Sequence, residues 1–496
     1  MGKQHVNAAV KFPVFAISDG AIEVRSADEE KNKDDAPQKV LLNVGGGGAA
    51  RSGVGNFITG FALEHNEQND PCIKQRFAFN TGLRLCTTVD VAPNMELVAS
   101  SLEGGCLMLR YDKEARELQE IGFFDTDVPI DDSTPPCQNV ARFCPTDSTL
   151  LATGGDDTTA GLWKVTVTAK VQEKERGEDT ADSPKAPASA KIEEKGVELQ
   201  HGPGTDEPSK EKEQDQQPDA SADDAAQDTS TEPPTPVPET ESETPATETD
   251  EKEAAASEEE DEGSAYTLSV ERKLNLVGHS KGIKDLHFSP SGKLLVTASG
   301  DNTCRIWNVA DGKVLQIIPS DQAAGMVFRR CRFLTDDRLL TLQAKPGRGG
   351  NSFIVEFVRD ASASSPRQWV LRKSARVLKG LATTMHVHPP MISVADAAGG
   401  LTLHDFESLR NLAHMDEVHS LPVTGLSALP NPADSSKHYV VTGSMDKTMA
   451  MIPGEAARVS WFMRILVPLL LVLLVIFVRV ALFSDSADVD GSHSEL

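Results

Sequence analysis

The chain has 496 residues, 39% of them hydrophobic and 25% charged, with a formal net charge of −26. The acidity is local: residues 171–262 hold 30 Asp and Glu against 8 Lys and Arg, a net of −22 that leaves only −4 for the remainder. A near-neutral remainder without a basic stripe excludes recognition of a phosphate backbone, so no nucleic acid is expected as a partner. The seven cysteines, at 72, 86, 106, 137, 144, 304 and 331, are widely spaced and form no CxxC pair. They read as reduced thiols of a cytosolic domain and exclude a zinc site of the usual spacing.

Residues 1–10 contain no apolar stretch of the kind that opens a signal peptide, so the bulk of the protein is expected in the cytosol. An apolar strand leads into residues 43–58, NVGGGGAARSGVGNFI. This segment lacks the Lys of a GxxxxGK[ST] phosphate loop, and no βαβ unit follows that would make it a dinucleotide fingerprint. Two readings remain. It is a flexible hairpin, or it is an ordered loop whose glycines let backbone carbonyls converge on a cation or let a partner's backbone come close.

A strand-turn-strand cassette then recurs. In 276–309, Gly278-His279 precedes an alternating strand at 284–289, an apolar strand at 294–299, the turn Asp301-Asn302-Thr303 and a strand through Trp307. A period of about 40 to 45 residues with these marks indicates blades of a propeller. His279, Ser299, Asp301 and Trp307 are expected to form the hydrogen-bonded network inside that blade, a structural role and not a catalytic one. Copies place Asp157 six residues before Trp163, Asp446 six before Ile452 and Glu103 six before Leu109, with a looser copy at 392–405. Together with 12–24 and 328–358 these give seven blades. The fold class is therefore all-β, a seven-bladed WD-repeat β-propeller with its blades in 1–170 and 264–457.

Between those parts, 171–263 is rich in Glu, Asp, Pro, Thr, Ser and Ala, and 171–262 contains no Phe, Tyr or Trp. Such a composition cannot bury enough apolar surface to offset chain entropy, so a disordered acidic insert between two blades is expected. Near the end, 461–483 reads WFMRILVPLLLVLLVIFVRVALF, long enough for a transmembrane helix across a core of about 30 Å. Arg458 and Arg464 precede its uninterrupted apolar stretch, 465–478, and Asp485, Asp488, Asp490 and Glu495 follow the span, which places its N-terminal side in the cytosol and 484–496 in the lumen. The final His493-Ser494-Glu495-Leu496 resembles the HDEL retrieval signal, with Ser494 in place of Asp.

These features together resemble one family. Phe12-Pro13-Val14-Phe15, the run from Val44 through Val54 with Asn56, Lys284-Asp285-Leu286-His287-Phe288-Ser289, the propeller, the late apolar segment and the retrieval-like tail are similar to the endoplasmic-reticulum guanine-nucleotide exchange factors for the Sar-type GTPase of the COPII coat, the prolactin regulatory element-binding protein family. The resemblance covers the chain except the acidic insert. It implies a single-pass protein of the endoplasmic-reticulum membrane that activates a Sar-type GTPase to start coat assembly, by binding and without covalent chemistry, so no catalytic residue is expected. It further implies that Gly45, Gly46, Gly47, Gly48, Gly53, Val54 and Asn56 face the GTPase and that a structural potassium ion orders the loop near Asn56. Gly55 stands where some relatives carry Pro. A propeller scaffold on the membrane without exchange activity is the alternative.

Overall fold

The computed structural model describes residues 6–24, 38–48, 53–66, 70–126, 137–170, 265–321, 325–347, 349–360, 368–431 and 434–454, with Leu470, Leu473, Leu474 and Ile476 beyond them. The chain divides into two units, Met1–Val171 with Asp261–Leu496, and Gln172–Glu260. The second unit, and with it the expected disorder of the acidic insert, lies outside the described residues. So does the expected lumenal tail, and so does the expected membrane span apart from those four side chains, which are helical and exposed. Among the described residues no helix is long and apolar enough to cross a membrane.

The described part of the first unit is a β-propeller: seven antiparallel sheets of four strands each. Six blades follow the chain from the innermost strand outward. Blade one is Val14–Val24, Gln38–Gly45, Asn56–His65 and Pro71–Gly82. The innermost strands of blades two to six are Thr88–Val91, Gln138–Cys144, Ile283–Phe288, Val327–Thr335 and Ala382–His388. Blade seven is composite. Its three inner strands, Val423–Asn431, Asp434–Ser444 and Thr448–Pro453, come from the C-terminal end of the propeller, and its outer strand is Val6–Ala9, with Val6 opposite Met451 and Ala9 opposite Thr448. The two ends of the propeller sequence thus close the ring by strand pairing, and Val10 N–H donates to the Lys447 carbonyl at 2.8 Å to extend it.

The core is divided among the blade interfaces. Leu42, Val44 and Ile58 of blade one pack with Val89, Leu107 and Leu109 of blade two. Leu41, Phe61 and Leu63 pack on the other side against Val441, Met449 and Met451 of blade seven. Five similar clusters fill the remaining interfaces. The second and third strands are covered on both faces by neighbouring blades, which explains why they read as near-continuous apolar runs such as Val40-Leu41-Leu42 instead of alternating.

The recurring cassette of the sequence is the hairpin between the second and third strands of a blade. Its turn repeats one conformation: the residue after the acid is left-handed at Gly104 (φ 83), Thr158 (φ 70), Asn302 (φ 64) and Lys447 (φ 64).

The placement of the acidic insert differs from the expectation. Its two ends belong to one hairpin within blade three: strands Ala160–Ala169 and Tyr266–Leu276 pair with Ala169 opposite Tyr266, and Lys170 N–H donates to the Ala265 carbonyl at 2.9 Å. The reason is a stagger between repeat and blade. The WD cassette starts on the outermost strand of one blade and continues into the next, so a segment that precedes the His279 repeat lies inside blade three, not between blades.

Candidate functional site: the glycine loop of blade one

The glycine loop joins the second and third strands of blade one. Val14 pairs with Gly45 and Gly45 pairs with Phe57, so the loop leaves the sheet at the end where innermost strands begin. Its first half, 45–48, and its second half, 53–56, are described; 49–52 are not.

Sterics set the first half. A Cβ on Gly45 would stand 1.9 Å from the Pro13 carbonyl oxygen, and one on Gly46 would stand 2.0 Å from Asn56 Oδ1. Both positions therefore exclude every side chain. Gly47 is half-buried, and Gly48 has φ +75, a conformation that L side chains rarely adopt. Gly53 is left-handed too (φ +67) and exposed, with open space around it. Val54 is half-buried and Gly55 lies against the Phe57 ring.

Asn56 holds this geometry in place. It is 1% exposed, and its amide is used on both sides. Oδ1 accepts the Gly48 N–H at 3.1 Å, while Nδ2 donates to the Gly48 carbonyl at 3.1 Å and to the Gly82 carbonyl at 3.0 Å. A backbone unit of the loop is thus gripped through donor and acceptor at once, and the loop is tied to the turn that leads into blade two. Sequence reasoning gave Asn56 the part of a cation neighbour. In the structure it is a clamp.

That turn was missed in the sequence. Gly82 is left-handed (φ +65), Thr81 Oγ1 donates to the Arg84 carbonyl at 2.7 Å, and the Arg84 guanidinium grips Glu120 through two bonds of 2.7 and 2.6 Å. Between them Leu83 stands 72% exposed beside the glycine loop. Its only sequence signal is a leucine between Gly82 and Arg84, which by itself is unremarkable. Residues 45–48 and 53–56 themselves carry no acid, base or nucleophile, and among the described residues no group of three His, Cys, Asp or Glu side chains could hold a metal. The loop's exposed described positions, Gly53 and Gly55, present backbone without a side chain.

The blade network is distinct from this loop. His279 Nδ1 meets Asp301 Oδ2 at 2.8 Å and His279 Nε2 meets Thr297 Oγ1 at 2.8 Å; the Trp307 indole N–H also reaches Thr297 Oγ1 at 2.8 Å. The structure brings His279, Asp301 and Trp307 together, but the hydroxyl between ring and indole belongs to Thr297. Ser299 Oγ instead donates to the Lys281 carbonyl at 2.6 Å and accepts the Asp301 N–H at 3.1 Å. The strand's alternation decides this, since Thr297 and Ser299 share a face and Thr297 lies deeper. Burial lowers the His279 pKa, opposed by Asp301. Burial alone would raise the Asp301 carboxyl, but hydrogen bonds from Thr303, His279 and the Ser280 N–H bring it down to about 2. These hydrogen bonds join the strand carrying Thr297 to the segment carrying His279 and to the Asp301 turn.

Partial copies occur elsewhere. In blade seven His419 joins Thr442 and Thr448, each at 2.7 Å, with Ile452 where Trp307 stands. In blade three the Trp163 indole donates to Thr153 Oγ1 at 2.8 Å. His419 escaped the sequence reading, although its His-Ser pair repeats His279-Ser280.

Fold and network define the class: the chain is a seven-bladed WD-repeat β-propeller. The WD40 family, "WD domain, G-beta repeat", matches residues 271–308, the segment from the outer strand of blade three through the third strand of blade four. Over 173 residues, 34% of this chain, it is 25% identical to a Candida glabrata protein described as "Putative guanine nucleotide-exchange factor SED4". Over 69 residues, 14% of this chain, it is 39% identical to human WD repeat and SOCS box-containing protein 1. The matches span 16% of the length of each of these two relatives. Among solved structures, Saccharomyces cerevisiae Sqt1 aligns with 91% of this chain and 99% of its own at 9% identity and a TM-score of 0.49.

Proposed function

We propose that this propeller is a guanine-nucleotide exchange factor that activates a Sar-type small GTPase at the endoplasmic reticulum membrane, starting assembly of the COPII coat. The observation that carries this reading is the Asn56 amide, which holds both backbone groups of Gly48 at the base of the glycine loop beside the exposed Gly53 and Gly55. Four glycines in a row cost chain entropy when ordered, and an ordered loop without reactive side chains suits a binding function. The relative with an exchange-factor description supports it. The alternative, a membrane-tethered scaffold, needs no such loop.

In this reading the loop and Leu83 dock against the GTPase and favour its nucleotide-free form. Switch segments held by phosphate and magnesium are displaced, and the nucleotide leaves without any covalent step. Potassium as an ordering ion fits the donor set, because residues 43–58 supply neutral oxygens and no carboxylate, a hard set suited to an alkali cation. Backbone oxygens of Gly46, Gly47 and the 53–55 turn would hold it, since Asn56 Oδ1 already accepts the Gly48 N–H. The ion would stiffen the loop. A single span at 461–483, with the propeller cytosolic and the C-terminus lumenal, would confine activation to the membrane.

Binding preference tests the proposal. The purified chain should hold nucleotide-free Sar-type GTPase at least about tenfold more tightly than the GDP-bound form, a difference of about 1.4 kcal/mol. Equal affinity for the two forms would leave the scaffold reading in its place. For topology, a tag after Leu496 should resist protease in sealed microsomes until detergent is added, and digestion without detergent would overturn it.

A further inference from the structure

We propose that the axis of the propeller holds a binding site for one small tetrahedral oxyanion of the phosphate class. This goes beyond the exchange reading and does not depend on it. The innermost strands enclose a cavity of about 50 Å³ on the propeller axis, lined in part by Asp19, Arg142, Lys284, Asp285, Arg330 and Arg332. At about 10 to 15 Å³ per water, that space takes about four waters, or one five-atom oxyanion.

The cations along this wall are unequally paired. Arg142 Nη2 meets Asp19 Oδ2 at 3.1 Å, and Arg332 Nη1 donates to Asp285 Oδ2 at 2.6 Å. Lys284 is drawn to Asp156 at 2.9 Å. Arg330 has no carboxylate within ion-pair distance among the described residues; its one hydrogen bond runs from Nη1 to the neighbouring Arg329 carbonyl at 2.9 Å. Arg142 and Arg332 each also carry a buried Nε–H without an acceptor. Behind the lining Asp90 also pairs with Arg142 at 3.5 Å, so of the four cations on the wall Arg330 is the one without an ion pair among the described residues. Burial lowers the Arg330 pKa, the Asp285 carboxylate opposes it, and Arg332, Arg329 and Arg142 stand beside it as like charges.

A half-buried guanidinium without a direct ion-pair partner is incompletely compensated, and an anion would complete it. Three guanidiniums present several donors to one small volume, a set that suits the oxygens of a tetrahedral anion better than a spherical halide. Arg142 belongs to blade three, Arg330 and Arg332 to blade five. The ion would therefore link blades three and five, on either side of blade four.

The test is a titration of the purified full chain with inorganic phosphate at constant ionic strength, followed by calorimetry and by Tm. Wild type should show saturable heat and a Tm gain that levels off, by about 2 °C at ten times Kd. Arg330→Gln should lose the saturable part and keep only the gradual rise that excluded anions give every protein. Arg330→Lys should retain part of it. Glycerol 3-phosphate is the second arm: saturation by inorganic phosphate alone supports a free ion, and saturation by both supports a site that also admits phosphate esters. Absence of saturable heat in wild type overturns the proposal, and so does an equal response of wild type and Arg330→Gln. Should Arg330→Gln not fold, the wild-type calorimetry decides alone.

Discussion

The Asn56 side chain donates to the Gly82 carbonyl at 3.0 Å while gripping both polar groups of the Gly48 backbone, so one amide fixes the glycine loop of blade one to the turn entering blade two. Replacing it by Ala leaves the Gly48 N–H and the Gly82 carbonyl without this partner. Asn56→Ala should cost about 2 kcal/mol and slow exchange on the GTPase, read by denaturant unfolding and nucleotide release together. Asn56→Asp keeps the acceptor for the Gly48 N–H but turns a lone pair toward two carbonyls, and should be no milder. Wild-type stability in either variant would mean that the amide does not bear on the loop.

A smaller change separates loop shape from stability. Gly46→Ala sets a methyl 2.0 Å from Asn56 Oδ1, so amide and loop must part. Exchange should fall at least about tenfold, a barrier change of about 1.4 kcal/mol, while the circular dichroism of the propeller stays the same. An unaffected rate would remove the loop from the GTPase contact.

The blade network yields a comparison of two hydroxyls. Thr297→Val keeps shape and leaves His279 Nε2 and the Trp307 N–H unpaired, at a cost of about 2 to 3 kcal/mol. Ser299→Ala loses bonds to backbone at the strand end and should cost about 1 kcal/mol. Chemical unfolding of both variants checks the order, and the reverse order would restore Ser299 to the position that the sequence assigned it.

That assignment illustrates what was legible. The His, the Asp and the Trp of the WD cassette have fixed spacing and rare residue types, so His279, Asp301 and Trp307 could be read directly. Thr297 and Ser299 share a strand face and a chemistry, and only depth in the blade separates them. Four of the blades were readable because their second-to-third hairpins repeat an acid before a left-handed turn, at Gly104, Thr158, Asn302 and Lys447. The position of the insert was not, since repeat and blade differ by one strand. The glycine loop was visible as composition, whereas its clamp and Leu83 depend on the approach of Gly82, which no local pattern encodes.

The repeated left-handed turn predicts a stabilising change. Thr158 occupies at φ 70 the position that Asn302 and Gly104 fill in other blades. A β-branched residue is disfavoured there. Thr158→Asn should therefore raise stability by about 1 kcal/mol in thermal unfolding, and a loss would show that the Thr158 side chain matters more than its backbone.

Acid should weaken the fold through His287. Its pKa falls from 6.5 to about 3, first by burial and then by the Arg332 guanidinium, and its Nδ1 accepts the Phe333 N–H at 3.2 Å. A depressed pKa means that the unfolded chain takes the proton first. The contribution is complete above about pH 6.5 and is lost as pH falls toward 3. His287→Asn, whose Oδ1 can accept the same N–H, should lessen the drop in Tm between pH 7 and pH 5 by about 2 °C. An identical drop in both proteins would place the acid sensitivity elsewhere.

The proposed exchange function is tested most directly by the rate of GDP release from a Sar-type GTPase. Stopped-flow release of a fluorescent GDP analogue, in potassium buffer, should accelerate at least about tenfold with the wild-type chain. Asn56→Ala should return the rate toward the intrinsic one, and lithium in place of potassium at equal ionic strength should lower it. Release at the intrinsic rate with the folded wild-type chain, or a rate indifferent to both Asn56 and the cation, would contradict the assignment of the glycine loop and of the exchange function.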